Sequence, residues 1–231
     1  MARIKTKTAY LCSACGDDFP KWNGQCPSCK DWGTLSEFKI SAKKNGRDHK
    51  PRETKSFKEV LIADSSERIP TGLLEADRVL GGGLLSGSLI LLGGSPGVGK
   101  STLALHICSG INRKALYISA EESEEQVALR ARRLNIKPDQ LFLSGENELD
   151  GIISHIDRIQ PDLVIVDSIQ TVMNSGLDSL PGSPSQIRDC GQRLLEVSKQ
   201  KNVTILIVGH VTKDGSIAGP KMLEHMVDTV L

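Results

Sequence analysis

Aromatic side chains are scarce in this 231-residue chain: four phenylalanines, two tyrosines and two tryptophans make up 3%. A core built here has to be aliphatic, and the 39% hydrophobic content is enough to supply one. Long apolar runs are missing as well, and nothing approaches the ~20 residues needed to cross a bilayer. The N-terminal stretch MARIKTKTAYLC lacks the apolar segment of a secretory signal. Together these absences predict a soluble, cytoplasmic protein without membrane contact.

An overall excess of either charge is also lacking, since 29 basic and 28 acidic side chains give a net charge of +1. The balance hides an asymmetry. Residues 1–58 carry 13 basic and 6 acidic groups, net +7, and residues 59–231 carry 16 and 22, net −6. A basic front end on an acidic body suits an anionic partner, with a merely solvated basic linker as the plain alternative.

Three parts are legible: a small module over 1–38, a basic linker over 39–60 and an α/β body over 61–231. The module holds turn residues Gly16, Pro20, Gly24, Pro27 and Gly33, and is too short to bury a self-sufficient core. It needs a staple. Cys12-x2-Cys15-x10-Cys26-x2-Cys29 supplies one. Each CxxC turns two thiolates toward one ion, and two such hooks complete a tetrahedron suited to Zn²⁺. A closed four-thiolate site is structural, and its binding energy is folding energy. Redox or disulfide use of these cysteines is the alternative. Cys108 and Cys190 lie on apolar helix faces and read as core residues.

The linker KISAKKNGRDHKPRETKSFK is polar, basic and without apolar periodicity. Beyond it, short apolar runs alternate with helical patterns. Strands are predicted at 88–92, 115–119, 141–144, 163–167 and 203–210, with a sixth begun at 226–231. Helices are predicted from the glycine-rich turn through Gly110, and over 123–134, 152–159 and 185–201. Continuous apolar strands between helices define a mostly parallel sheet covered on both faces, with ligands at the carboxyl ends of its strands. The chain stops at Leu231 inside an apolar strand, which is expected of a truncated chain.

Gly94-Ser95-Pro96-Gly97-Val98-Gly99-Lys100-Ser101, followed by Thr102, matches G-x-x-x-x-G-K-[ST] between a predicted strand and a predicted helix. Backbone N–H groups of such a loop turn inward onto phosphate, and the helix N-terminus adds positive potential. Lys100 is expected to reach the β- and γ-phosphates of ATP, and Ser101 to ligate Mg²⁺. Asp167 ends the apolar strand LVIVD, as a Mg²⁺-holding carboxylate would. Glu121 and Glu122 follow the second strand in ISAEES. One of them, Glu121 by preference, is expected to act as general base, the plain alternative being a role at the next helix N-terminus. His210 ends the fifth strand, where it can sense the γ-phosphate or serve structure alone.

The run IPTGLLEADRVLGGGLLSGSLILLGGSPGVGKST resembles the entry to the core of RecA-like ATPases of the RecA/KaiC branch. With YLCSACG, KWNGQCPSC, WGTL, ISAEES, VDSIQT, SPSQIRD and GHVTKDGSIAGPKMLEHMVDTVL, the chain resembles the bacterial RadA family (also called Sms) of DNA repair proteins over essentially its whole length. That resemblance implies a RecA-like fold preceded by a zinc-ribbon-like module. It also implies an ATP hydrolase stimulated by DNA that binds single-stranded and branched DNA, drives branch migration with RecA recombinase, and assembles as a hexameric ring. It gives Lys100 and Ser101 the phosphate-loop roles, Asp167 the Mg²⁺ role, Glu121 the water-activating role and His210 the sensor role.

Residues 172–186 and 211–222 resemble the DNA-binding loops of that core. Both are rich in glycine and serine, and are expected to be mobile without DNA. Lys213, Lys221 and Arg188 are candidate phosphate contacts, and the lack of aromatic residues in either loop argues against strong sequence preference. The Lys-Asn-Arg-Phe-Gly motif and the Lon-protease-like domain of the family do not occur before Leu231. Their absence predicts that nucleotide binding survives better than turnover in this chain, and that it is monomeric. A KaiC-like ATP-driven switch, or an adaptor whose module docks a partner, are the competing classes. The four-cysteine module favours the DNA motor.

Overall fold

The computed structural model describes residues 6–12, 14, 17–41, 54, 56, 58, 68–136, 140–177, 179–210 and 223–231. At the N-terminus, β1 (Thr6–Cys12), β2 (Asp18–Phe19) and β3 (Leu35–Ser41) form an antiparallel sheet in the order β2-β1-β3. β3 continues to Ser41, three residues into the segment read as linker. A two-stranded ribbon, β4 (Arg68–Ile69) and β5 (Leu84–Leu85), encloses the short helix α1 (Leu74–Val79) and introduces the body.

The body then runs β6 (Leu89–Gly94), α2 (Lys100–Gly110), β7 (Ala115–Ser119), α3 (Glu124–Arg133), β8 (Leu141–Ser144), α4 (Leu149–Ile159), β9 (Leu163–Asp167), α5 (Pro184–Lys201), β10 (Thr204–His210) and β11 (Thr229–Val230). These six strands make one sheet, order β11-β6-β10-β9-β7-β8, and every neighbouring pair is parallel.

Side chains alternate across a strand, and both faces of this sheet are apolar. Ile90, Leu92, Tyr117, Ile165, Leu206 and Val208 meet Ala104, Leu105 and Ile107 of α2 and Val127 and Ala131 of α3 on one face. Leu89, Leu91, Leu116, Ile118, Val164, Val166, Ile205 and Ile207 meet α4 and α5 on the other. Cys108 lies in the first layer and Cys190 in the second, both buried, as their positions on apolar helix faces predict. Burial pushes both thiols upward, Cys190 to about 12, so neither carries a thiolate near neutrality. Among the described residues no helix is long and apolar enough to cross a membrane.

Element positions follow the apolar periodicity closely. The largest differences are at boundaries. α4 starts at Leu149, three residues ahead of its predicted start, because Leu149 is buried under the sheet and continues the stripe of Ile152 and Ile156. The last strand narrows to Thr229–Val230, since Met226 and Val227 close a turn onto Leu223. α1, the β4–β5 ribbon and the N-terminal sheet were not legible, because their pairing residues lie far apart or in pieces two residues long.

The P-T-G…D signature has a physical basis. Asp77 Oδ1 accepts from Thr71 N at 2.7 Å and from Thr71 Oγ1 at 2.8 Å, which locks the approach to α1. The locked segment presses on the end of α2: a Cβ on Gly110 would come within 1.9 Å of the Thr71 carbonyl oxygen. Gly110→Ala is expected to destabilise the body by about 1–3 kcal/mol, the usual cost of overpacking, read as a lower midpoint in urea unfolding with little change in slope.

Candidate nucleotide site and metal centre

The sheet order decides what lies beside the phosphate loop. β10 is hydrogen-bonded between β6 and β9, and its last residue, His210, pairs in register with Gly94. On the far side of β9, Asp167 pairs with Ser119 at the end of β7. Gly94, His210, Asp167 and Ser119 therefore all lie at the carboxyl edge of the sheet, with His210 two residues beyond the level of Asp167.

The loop itself needs its glycines for backbone conformation. Gly97 and Gly99 have φ of 79° and 103°, and a Cβ on either would meet nothing within 4 Å, so conformation rather than space demands glycine. Lys100 opens α2, and its Nζ donates to the carbonyls of Gly94 at 2.8 Å and Ser95 at 2.9 Å. Burial pushes the Lys100 ammonium below the ordinary lysine value, and the carboxylates of Asp167 and Glu121 oppose that shift. Ser101 and Thr102 follow in the first turn of α2, half-buried. Ser95, Pro96, Gly97, Val98 and Gly99 are exposed along the loop.

Asp167 is buried at the tip of β9, where its Oδ2 accepts from the Tyr117 hydroxyl at 2.5 Å. Tyr117 is fully buried in β7, and burial together with the Asp167 charge pushes its phenol upward, so it remains a donor. The peptide between Asp167 and Ser168 is cis. Ser168 Oγ donates to Glu121 Oε1, and His210 Nε2 lies 3.4 Å from the same oxygen. His210 Nδ1 is buried without a hydrogen-bond partner.

The two glutamates, indistinguishable by spacing, separate here. Glu121 turns toward His210, Ser168 and Lys100, whereas Glu122 Oε1 is paired with Arg130 at 2.9 Å. Neither begins the next helix. Ser123 caps α3, with a reciprocal Gln126 contact, and the acidic first-turn residues are Glu124 and Glu125. Tyr117 and Ser168 escape motif reasoning. The one available signal was Tyr117 itself, a polar-tipped aromatic in an otherwise aliphatic strand.

The candidate DNA contacts scatter. Lys213, Lys221 and the whole of 211–222 lie outside the described residues. Arg188, in α5, is paired with Asp18 of the N-terminal sheet at 3.1 Å. Among the described residues of 172–186, the buried Gln186 side chain accepts from Asn174 N at 2.8 Å and donates to the carbonyls of Asn174 and Ser179. Both ends of this buried amide are thereby satisfied within the segment.

In the N-terminal module, the sulfur atoms of Cys12, Cys26 and Cys29 lie within 4.8 Å of one another, with Cys12 and Cys26 fully buried. Cys12 Sγ is 3.7 Å from Cys29 Sγ. Two thiolates each about 2.3 Å from a tetrahedral ion stand about 3.8 Å apart, so the cluster fits Zn²⁺. Cys15 lies outside the described residues. The second hook is shaped by Cys26 N donating to Asp31 O at 2.8 Å and Lys30 N to Cys26 O at 3.0 Å, with Lys30 in the left-handed region.

A three-layer parallel α/β body with a phosphate loop, preceded by a thiolate cluster, defines a P-loop ATPase fold carrying a zinc-ribbon module. Residues 53–216 match the family described as the AAA domain, and residues 10–37 match the rubredoxin metal binding domain. The chain belongs to the AAA domain family, and within it to the RadA group. It is 46% identical over 237 residues to DNA repair protein RadA of Listeria monocytogenes, covering 100% of this chain and 52% of that protein. It is 48% identical over 236 residues to the Bacillus subtilis protein of the same name, covering 98% and 52%, and 44% identical over 234 residues to that of Pseudomonas aeruginosa, covering 98% and 51%. The chain spans about half the length of the curated relatives it matches.

The thiolate cluster carries a direct test. Elemental analysis of the purified chain is expected to give one zinc per molecule, and Cys26→Ser well under one. Because both tryptophans lie in the module, chelator treatment is expected to shift intrinsic fluorescence while circular dichroism of the body stays near its starting value.

Proposed function

We propose that the chain is the nucleotide-driven part of a DNA repair ATPase, which binds ATP with Mg²⁺ and uses hydrolysis to work on DNA. The observation that carries this reading is the row of Lys100, Asp167, His210 and Glu121 at one sheet edge, each from a different element. Lys100 and the loop amides bind the β- and γ-phosphates, and the hard oxygen donors Ser101 and Asp167 suit Mg²⁺. When bound, that ion neutralises charge on the phosphates. Tyr117 orients the Asp167 carboxylate. Glu121 takes a proton from the attacking water, and His210 and Ser168 hold its carboxylate toward the γ-phosphate. Glu122 is neutralised by Arg130 and serves structure.

His210 is followed in sequence by 211–222, so in this reading a change at the γ-phosphate is passed along the chain toward Lys213 and Lys221. That continuity supports a DNA-stimulated motor over a KaiC-like switch. The relatives' name, DNA repair protein, supports a role in DNA repair; the reading extends it to single-stranded and branched DNA as substrate, RecA as partner in branch migration, and a hexameric ring as the working assembly in the cytoplasm. The zinc module at 1–38 and linker at 39–60 then tether a second contact to the core.

Hydrolysis by the full-length protein, measured with and without single-stranded DNA, tests the proposal. Stimulation that falls on Lys213→Ala is expected. No stimulation, with DNA binding unaffected by that variant, would sink the motor reading. The two glutamates are tested separately. Glu121→Gln is expected to slow hydrolysis at least about 100-fold while leaving nucleotide affinity within a few fold, and Glu122→Gln to change the rate only a few fold. The reverse pattern would exchange their roles.

A further inference from the structure

Both tryptophans of the chain, Trp22 and Trp32, belong to the N-terminal module, and both are exposed, by 60% and 75%. Tryptophan is highly buried on average, and this chain has few aromatic residues to spare for its surface. The core of the module leaves them out: Cys12, Cys26 and Leu35 pack with Tyr10, Phe19 and Cys29 instead. The two indoles are neighbours through Gly24. Gly33 N donates to Gly24 O at 2.9 Å, and Gln25 bridges Trp32, which folds the second hook back beside the first turn. A Cβ on Gly24 would stand 3.5 Å from Trp32 Cζ3 and 3.9 Å from Trp22 Cη2, so both rings border the same glycine.

Lys21 precedes the first indole, and Lys30, whose carbonyl is held by Gln25 Nε2 at 2.8 Å, precedes the second by two residues. Stacking surfaces next to flexible cations are what single-stranded nucleic acid binds: bases on the rings, phosphates on the ammonium groups. The Asp18–Arg188 pair brings this module beside the start of α5, two residues beyond the loop 172–186.

We infer that Trp22 and Trp32 form a stacking platform for unpaired nucleobases, so that the zinc module is itself a single-stranded DNA contact. The inference rests on the DNA reading above and adds to it the aromatic surface that 172–186 and 211–222 lack. Zinc then acts through shape: the thiolate hooks hold Gly24 and Trp32 together and so keep the two rings on one side.

Because these are the only tryptophans, emission excited selectively at the indole rings reports on the platform alone. The full chain is titrated with an oligothymidylate of about 20 nucleotides, and in parallel with an abasic deoxyribose-phosphate oligomer of equal length. Binding is followed independently by anisotropy of labelled oligomers. Saturable quenching by oligothymidylate and not by the abasic oligomer is expected. The Trp22→Ala, Trp32→Ala double variant is expected to weaken oligothymidylate binding about tenfold or more, and the double Phe variant to restore most of it, with zinc content unchanged in both. Anisotropy that rises with no change in fluorescence would overturn the platform and leave DNA binding to the ATPase body. Equal quenching by the abasic oligomer would reduce the site to phosphate attraction and overturn it too. Absence of binding by both measures would remove the DNA reading itself. A double variant that binds DNA normally but fails to associate with a second copy of the chain would reassign the rings to a protein interface.

Discussion

Everything at the candidate nucleotide site depends on one hydrogen-bonded ladder, the insertion of β10 between β6 and β9. Parallel strands in register bring their carboxyl ends to one edge. The strand that carries the phosphate loop and the strand that carries Asp167 are thereby held one strand apart, with His210 in the gap. A slip of one residue in that register would invert the faces of β10, sending Leu206 and Val208 toward α5 and Ile205 and Ile207 toward α2. Both faces are apolar, so the inversion would be resisted by shape and packing rather than by polarity.

The polar groups at this edge form two chains that meet near Lys100. One runs from the buried Tyr117 hydroxyl to Asp167, and the other from Ser168 and His210 to Glu121. Both carboxylates act on the Lys100 ammonium, whose burial alone would favour its neutral form. A desolvated cation facing two carboxylates, each oriented by a neutral donor, is a site prepared to receive several negative charges together with a divalent cation. Glu122 is kept out of this arrangement by Arg130.

The N-terminal module follows a different physics. Among its described residues the buried apolar side chains are Ala9, Leu11, Cys12, Cys26 and Leu35, too few to order a chain of this length against its conformational entropy. Thiolates gathered at metal-binding distance replace the missing core. Freed from packing duty, the two tryptophans remain on the surface.

Much of the body was readable in advance. Strands over 115–119 and 163–167 agree residue for residue with their apolar runs, because a strand buried on both faces leaves a continuous signal, and the edge strand over 141–144 agrees as well although Phe142 is exposed. The phosphate loop and the cysteine spacing were equally plain, since both chemistries need their residues close in sequence. Order within the sheet was not readable: nothing in a local pattern says that β10 lies between β6 and β9. Nor did spacing separate Glu121 from Glu122, reveal Tyr117 behind Asp167, or show Gln186 bonded to Asn174 and Ser179. Those contacts join residues from 7 to 89 positions apart, and they exist only once packing has brought the elements together. Periodicity and motif spacing, which record local geometry and burial, thus determined the elements, the phosphate loop and the thiolate set. Which side chains face one another across strands and helices was decided by tertiary structure alone, because long-range register is set by how two apolar faces close on one another.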